Sequence, residues 1–148
     1  MGRGIAQVLA QCGARTLLFD TQPGAARKAR DSIAQSLGKL VEKGRLAKGE
    51  AEKTVGLIEI ADSLESLAPC HVVVEAIIEE LQQKKALFAA LEKSVSGDCI
   101  LASNTSSLSV TAMAAACKRP GRVAGYHFFN PVPVLKIVEV VDGALTEP

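Results

Sequence analysis

Apolar positions along the chain follow two periodicities that alternate. Short aliphatic runs predict strands at 16–20 (TLLFD), 56–60 (GLIEI), 71–76 (HVVVEA), 99–103 (CILAS) and 122–128 (RVAGYHF). A last strand is expected at 135–141 (LKIVEVV), beyond a proline-rich corner. Between these runs the apolar residues recur at helical spacing. Residues 2–12 place Ile5, Val8, Leu9 and Cys12 on one face, and residues 24–43 do the same with Ala29, Ile33, Leu37, Leu40 and Val41. Residues 79–95 align Leu81, Leu87, Phe88, Leu91 and Val95, and 107–116 predict a short Ala-rich helix with Ser106 or Ser107 as its N-cap. The segment 42–54 is charged and reads as a helix end followed by a solvated connection. Continuous apolar strands alternating with helices point to a mainly parallel α/β sheet covered on both faces.

Composition narrows the class. A length of 148 residues, 48 % of them hydrophobic, suits one domain with a real core. Seventeen basic and sixteen acidic residues leave a net charge of +1, so bulk charge offers nothing to a nucleic acid or an anionic membrane. With 3 % aromatics and no Trp, base-stacking platforms are not expected either. Cys12, Cys70, Cys99 and Cys117 form no CxxC pair and have no His at ligand spacing, so they read as thiols of a reducing compartment, the cytoplasm, and no metal is expected. Cys99, in an apolar run, reads as core. The apolar stretch from Ile5 to Ala10 is too short to span a bilayer and lacks the basic flank of a signal peptide.

The first twenty residues raise a more specific possibility. A helix beginning at Gly2, a turn at Gly13, a strand and then Asp20 follow the order of the back half of a dinucleotide-binding fingerprint. Gly2 would be its third glycine and Asp20 the acid that accepts ribose hydroxyl protons, which favours NAD over NADP. Alone, an Asp before TQPG is more often a turn residue. If the fingerprint holds, the strand and the two glycines that precede it lie outside this sequence, and that strand is the central one of the sheet.

Three later segments carry a resemblance: VVVEAIIEELQQKKALF (72–88), SNTSSLS (103–109) and GYHFFNPVPVLKIVEVV (125–141). In the third, a His ends a strand, and a return after the Pro-bracketed corner places Glu139 twelve positions later. Together, and in this order, these segments closely resemble the 3-hydroxyacyl-CoA dehydrogenase family, nearest to its bacterial 3-hydroxybutyryl-CoA branch. The resemblance runs from Gly2 to about Thr146. It implies a Rossmann-like doubly wound, mostly parallel sheet that binds NAD and takes an acyl-CoA substrate in fatty-acid metabolism.

The resemblance also implies roles. His127 is the general base for the 3-hydroxyl, as an imidazole titrating near neutrality can be. Glu139 orients its ring, and Ser106 hydrogen-bonds the C3 oxygen. Asn104 lines the junction of nicotinamide and substrate, Glu79 and Lys84 lie near the nicotinamide ribose, and Ala76 and Ile77 pass beneath the cofactor. Asn130 is a scaffold residue of the corner. Plainer readings stay open: Ser106 as a helix cap, Lys84 beside Lys85 on a solvated face, and Glu79 as a helix-start acid. The basic residues Arg27, Lys28, Arg30, Lys39, Lys43, Arg45 and Lys48 could receive CoA phosphates, although a solvated face explains them better.

Against the family pattern, the first strand and a C-terminal helical domain, which closes over substrate and forms a homodimer, are missing from this sequence. The expectation is one N-terminally truncated dinucleotide-binding domain over 1–148, weak or inactive by itself. Two further readings remain: part of a multifunctional fatty-acid oxidation enzyme, or a non-catalytic relative on the same scaffold.

Overall fold

The computed structural model describes residues 1–135 and 137–148. Lys136, within the strand expected at 135–141, lies outside the described residues. The chain divides into two compact units. Met1, Arg3–Asp62 and Pro131–Val134 form the first, and Gly2, Ser63–Asn130 and Leu135–Pro148 form the second.

The first unit comprises α1 (Gly2–Gln11, whose first residue groups with the second unit), β1 (Thr16–Leu18), α2 (Ala25–Glu42), α3 (Lys48–Gly56) and β2 (Ile58–Ile60). The two strands pair in parallel, with Thr16 opposite Ile58 and Leu18 opposite Ile60. Arg15 braces the pair through a two-pronged contact with Glu59, at 2.7 and 2.8 Å. The core is Ala6, Ala10, Ile33, Leu37, Ala51 and Ile58. On α1 the buried stripe is therefore Ile5, Ala6 and Ala10, whereas Val8 and Leu9 are half-buried and Cys12 is exposed. Small side chains let the helix lie close to its neighbours. Gly4 makes the tightest approach: a Cβ there would stand 3.0 Å from Val132 Cβ.

The charged connection expected at 42–54 instead contains α3. Its inner face buries Ala51 and the Thr54 side chain, and Thr54 Oγ1 donates to the Glu50 carbonyl. Lys48, Glu50, Glu52 and Lys53 occupy the outer face, and this density of charge conceals a helix whose buried side carries only small residues.

The second unit is a four-stranded sheet in the order β3 (Val72–Glu75), β4 (Ile100–Ser103), β5 (Val123–Phe128) and β6 (Val138–Asp142). The first three strands run parallel, and β6 returns antiparallel to β5. The helices α4 (Leu81–Ser94) and α5 (Val110–Ala114) pack on it. Phe88, Leu91, Leu101, Met113 and Val123 are at most 2 % exposed. Each contributes about 1.5–3 kcal/mol by leaving water. All six expected strands are present, with β6 shifted to 138–142. The helix expected at 107–116 shrinks to α5, capped by Ser109, whose Oγ accepts the Ala112 amide at 3.1 Å, rather than by Ser106 or Ser107. The reason lies just upstream: Thr105 Oγ1 already accepts the Ser107 and Leu108 amides and holds 105–108 as a turn.

Register decides what the second sheet presents. Glu75 pairs with Ser103 and Ser103 with Gly125, so the three parallel strands end at one edge, with His127 just beyond. In open parallel sheets this carboxyl edge is where ligands bind.

Candidate active site

Two constellations occupy that edge. In the first, His127 on β5 is opposite Glu139 on β6, and Nδ1 lies 2.9 Å from Glu139 Oε2. A carboxylate can only accept, so Nδ1 is the donor of this bond, and in the neutral ring the lone pair falls to Nε2. The imidazole is 22 % exposed and Glu139 57 %. The Phe129 ring, 4.6 Å away centre to centre, limits the ring's swing. The antiparallel return across the Pro-bracketed corner, expected from the sequence, is what brings the two together.

The second constellation is buried. Glu75 ends β3 with its side chain wholly enclosed. Its Oε1 accepts the Ile77 amide at 2.6 Å and Lys84 Nζ at 2.7 Å, and its Oε2 accepts Ser103 Oγ at 2.7 Å. Lys84 is 1 % exposed and also lies 3.1 Å from Glu79 Oε2. Glu79 Oε1 accepts Thr105 Oγ1. Partial burial pushes the Glu79 carboxyl up. Hydrogen bonds from Thr105 and Lys84, the Lys84 charge and the Ser106 amide outweigh that and hold it below the ordinary carboxylate range. Lys84 is thus no solvated neighbour of Lys85. It lies four residues before Phe88 and seven before Leu91, on the buried stripe of α4, a spacing from which its burial could have been read.

Ser106 stands exposed on the turn between these constellations, its hydroxyl without a partner among the described residues. Asn104 Oδ1 accepts the Phe128 amide at 2.9 Å, which leaves its NH₂ group as the part able to meet a ligand. Ala76 follows β3 directly, and a Cβ on Gly2 would be 3.7 Å from the Ala76 Cβ, an ordinary contact. Of the two glycines, Gly4 makes the tighter approach. Asn130 is exposed, with no side-chain hydrogen bond among the described residues to support a scaffold role. Glu75, Ser103 and Thr105 were missed by sequence reasoning. A glutamate closing the apolar run VVV was the available signal.

The first unit carries Asp20. β1 ends at Leu18, and Asp20 lies beyond it, with Oδ1 accepting the Gln22 amide at 2.8 Å. It is therefore a turn residue, but its Oδ2 has no partner among the described residues. It lines a cleft of about 280 Å³ with Thr21, Gly24, Arg27, Ala61 and Asp62. On α2, Arg30 donates to the Ile58 and Val55 carbonyls, so this member of the basic face is spent on the fold.

Residues 1–148 match the protein family described as "3-hydroxyacyl-CoA dehydrogenase, NAD binding domain". The chain belongs to this family. It is 46 % identical over 147 residues to a probable 3-hydroxybutyryl-CoA dehydrogenase of Deinococcus radiodurans, covering 99 % of this chain and 52 % of that one. It is 44 % identical over 146 residues to the 3-hydroxyadipyl-CoA dehydrogenase of Escherichia coli K12, covering 99 % and 31 %. The crystal structure of a 3-hydroxybutyryl-CoA dehydrogenase from Escherichia coli K12 superposes with a TM-score of 0.96 at 44 % identity, covering 99 % of this chain and 31 % of that one. The fold is Rossmann-like, and NAD is the cofactor of the family domain. The chain spans from about a third to about half the length of these relatives. No helix of this NAD-binding domain, among the described residues, is long and apolar enough to cross a membrane.

Proposed function

We propose that this chain is the cofactor-binding part of an enzyme that oxidises 3-hydroxyacyl-CoA to 3-oxoacyl-CoA, or runs the reverse, with NAD. The observation that carries the reading is the 2.9 Å contact between His127 and Glu139 at the carboxyl edge of the sheet. When bound, NAD supplies the acceptor for the substrate's hydride. His127 Nε2 takes the proton of the 3-hydroxyl, and Glu139 keeps the ring in the right tautomer and stabilises the imidazolium. Ser106 donates to the C3 oxygen from an otherwise unoccupied hydroxyl. The Asn104 NH₂ group faces the same reaction zone.

The residues present fit NAD. Asp20 Oδ2, unpartnered and lining a cleft, suits the ribose hydroxyls, and its charge disfavours a 2′-phosphate. Gly2, at the start of α1, precedes the helical hydrogen-bond ladder, where free amides and the helix dipole favour phosphate. In the second unit Ala76 offers backbone, and Glu79, with Lys84 behind it, offers a carboxylate to the nicotinamide ribose. The whole protein is read as carrying the fingerprint's first strand and glycine loop and a helical domain that makes a homodimer. The relatives are longer, this chain covering 31 % and 52 % of two of them, and that supports the added segments. The enzyme is cytoplasmic, the compartment that the cysteine spacing of the sequence suggests.

NADH titration of this chain, and of a version extended upstream by one strand and loop, tests the reading. The extended protein is expected to bind more tightly, and the extended enzyme, which also carries the helical domain, to reduce acetoacetyl-CoA. Equal affinities would sink the proposed phosphate loop, and no turnover by the extended enzyme would sink the activity.

A further inference from the structure

Glu75 and Ser103 have no part in the chemistry above, yet they are among the most enclosed polar groups of the chain. A buried carboxylate is costly unless it is paired and fully hydrogen-bonded, and an apolar pair of the same volume often serves stability as well or better. Retention of charge here therefore calls for another explanation. Two chains of contacts lead away from Glu75. Through Oε2 it holds Ser103 Oγ, which accepts the Thr105 amide at 3.2 Å, and Thr105 Oγ1 then accepts the Ser107 and Leu108 amides. Through Oε1 it holds Lys84, which meets Glu79, and Glu79 accepts Thr105 Oγ1 and the Ser106 amide. Both routes end on the turn 105–108. The same Oε1 fastens the Ile77 amide, the start of the loop after β3.

The geometry points to Glu75 as a positioning residue: one buried carboxylate, anchored by Ser103 and Lys84, sets the conformation of the turn that presents Ser106 and of the loop that presents Glu79. Ser106, whose hydroxyl has no partner among the described residues, depends on this scaffold for its aim. The inference rests on the proposed reaction only for its catalytic consequence. Its structural content stands apart from that reading.

Two variants test it: Glu75→Gln, which removes the charge at constant shape, and Ser103→Ala, a neutral change that cuts one route and leaves Lys84 paired. Amide hydrogen exchange is followed in the free protein, and turnover is measured in the extended enzyme. Both variants are expected to speed exchange at Thr105, Ser107 and Leu108 by roughly tenfold, while Phe88 and Leu91 in α4 keep their protection. Ser103→Ala is expected to lower kcat by roughly tenfold with the KM for NADH unchanged, and Glu75→Gln to alter both. Parental exchange at the turn in both variants would overturn the inference. A uniform rise across the whole sheet would overturn it too, as the mark of a group that merely stabilises. If Glu75→Gln does not fold, Ser103→Ala decides. If the parent enzyme shows no turnover, the proposed reaction fails while the exchange result still decides this inference.

Discussion

Asn104 Oδ1 accepts the Phe128 amide at 2.9 Å, so the loop after β4 is tied to the strand that carries His127. The hydroxyl of Ser106 and the imidazole thus share one rigid connection. Asn104→Ala is expected to cut kcat by roughly tenfold and to cost about 1 kcal/mol of stability, the worth of one such bond. Asn104→Asp retains the acceptor and is expected to keep the stability. Thermal melts beside steady-state kinetics check this, and equal melting points for the Ala and Asp variants would refute the tie.

Replacing His127 by Gln removes the base while leaving Asp20 and Glu79 in place. Turnover in the extended enzyme is expected to fall by ~10²–10⁴-fold with NADH affinity little changed. Glu139→Gln keeps a group able to hydrogen-bond the ring but loses the charge that stabilises imidazolium, so its loss should be smaller. Rates that survive His127→Gln would remove His127 from its role.

The legibility of this site differs sharply between its two constellations. His127 and Glu139 could be paired from the sequence because a return after the Pro-bracketed corner can bring them together and the family resemblance implies both roles. The Glu75 network could not, since it depends on the parallel register of β3 with β4, and parallel partners are set by crossovers rather than by local pattern. Asp20 shows the limit of motif reasoning: its Oδ1 makes the turn that the plainer reading described, while its part as the ribose acid is a proposal. The helix α3 stayed hidden because Ala51 and Thr54 are too small to make an apolar stripe among so many charges.

Asp20 leads to a prediction on cofactor choice. Asp20→Ser removes the charge that would repel a 2′-phosphate, and Arg27 lines the same cleft. NADH affinity of the extended enzyme should fall and the preference for NADH over NADPH should narrow, by about tenfold for a lost ribose contact. Fluorescence titration with both cofactors measures the ratio. An unchanged ratio would leave Asp20 as a turn residue alone.

Gly4 and Gly2 separate packing from ligand binding. A methyl at Gly4 meets Val132 Cβ at 3.0 Å, whereas one at Gly2 finds 3.7 Å to the Ala76 Cβ. Gly4→Ala is expected to destabilise the first unit by about 1–3 kcal/mol, as overpacking does. Gly2→Ala should melt within about 1 kcal/mol of the parent. Denaturant titration compares them, and the reverse ranking would contradict this packing.

Glu92 supplies a pH dependence with a definite sign. Burial pushes its carboxyl up, but the Lys118 and Arg119 amides, at 2.7 and 2.8 Å, and the nearby Arg122 and Lys118 charges hold it below the ordinary carboxylate range. Its side chain is 13 % exposed, so solvent screens these contacts only in part. A carboxyl lowered on folding stabilises the protein at every pH above its unfolded value, and that stability disappears as pH falls through the folded value. Glu92→Gln should therefore cost about 1–3 kcal/mol at pH 7, the range for hydrogen bonds to a charged group. The gap between parent and variant should begin to close near pH 4, where unfolded glutamate titrates, and continue to close below it. Melting curves from pH 7 down to pH 3 read this directly, and a gap that held constant across that range would show that the charge of Glu92 contributes nothing.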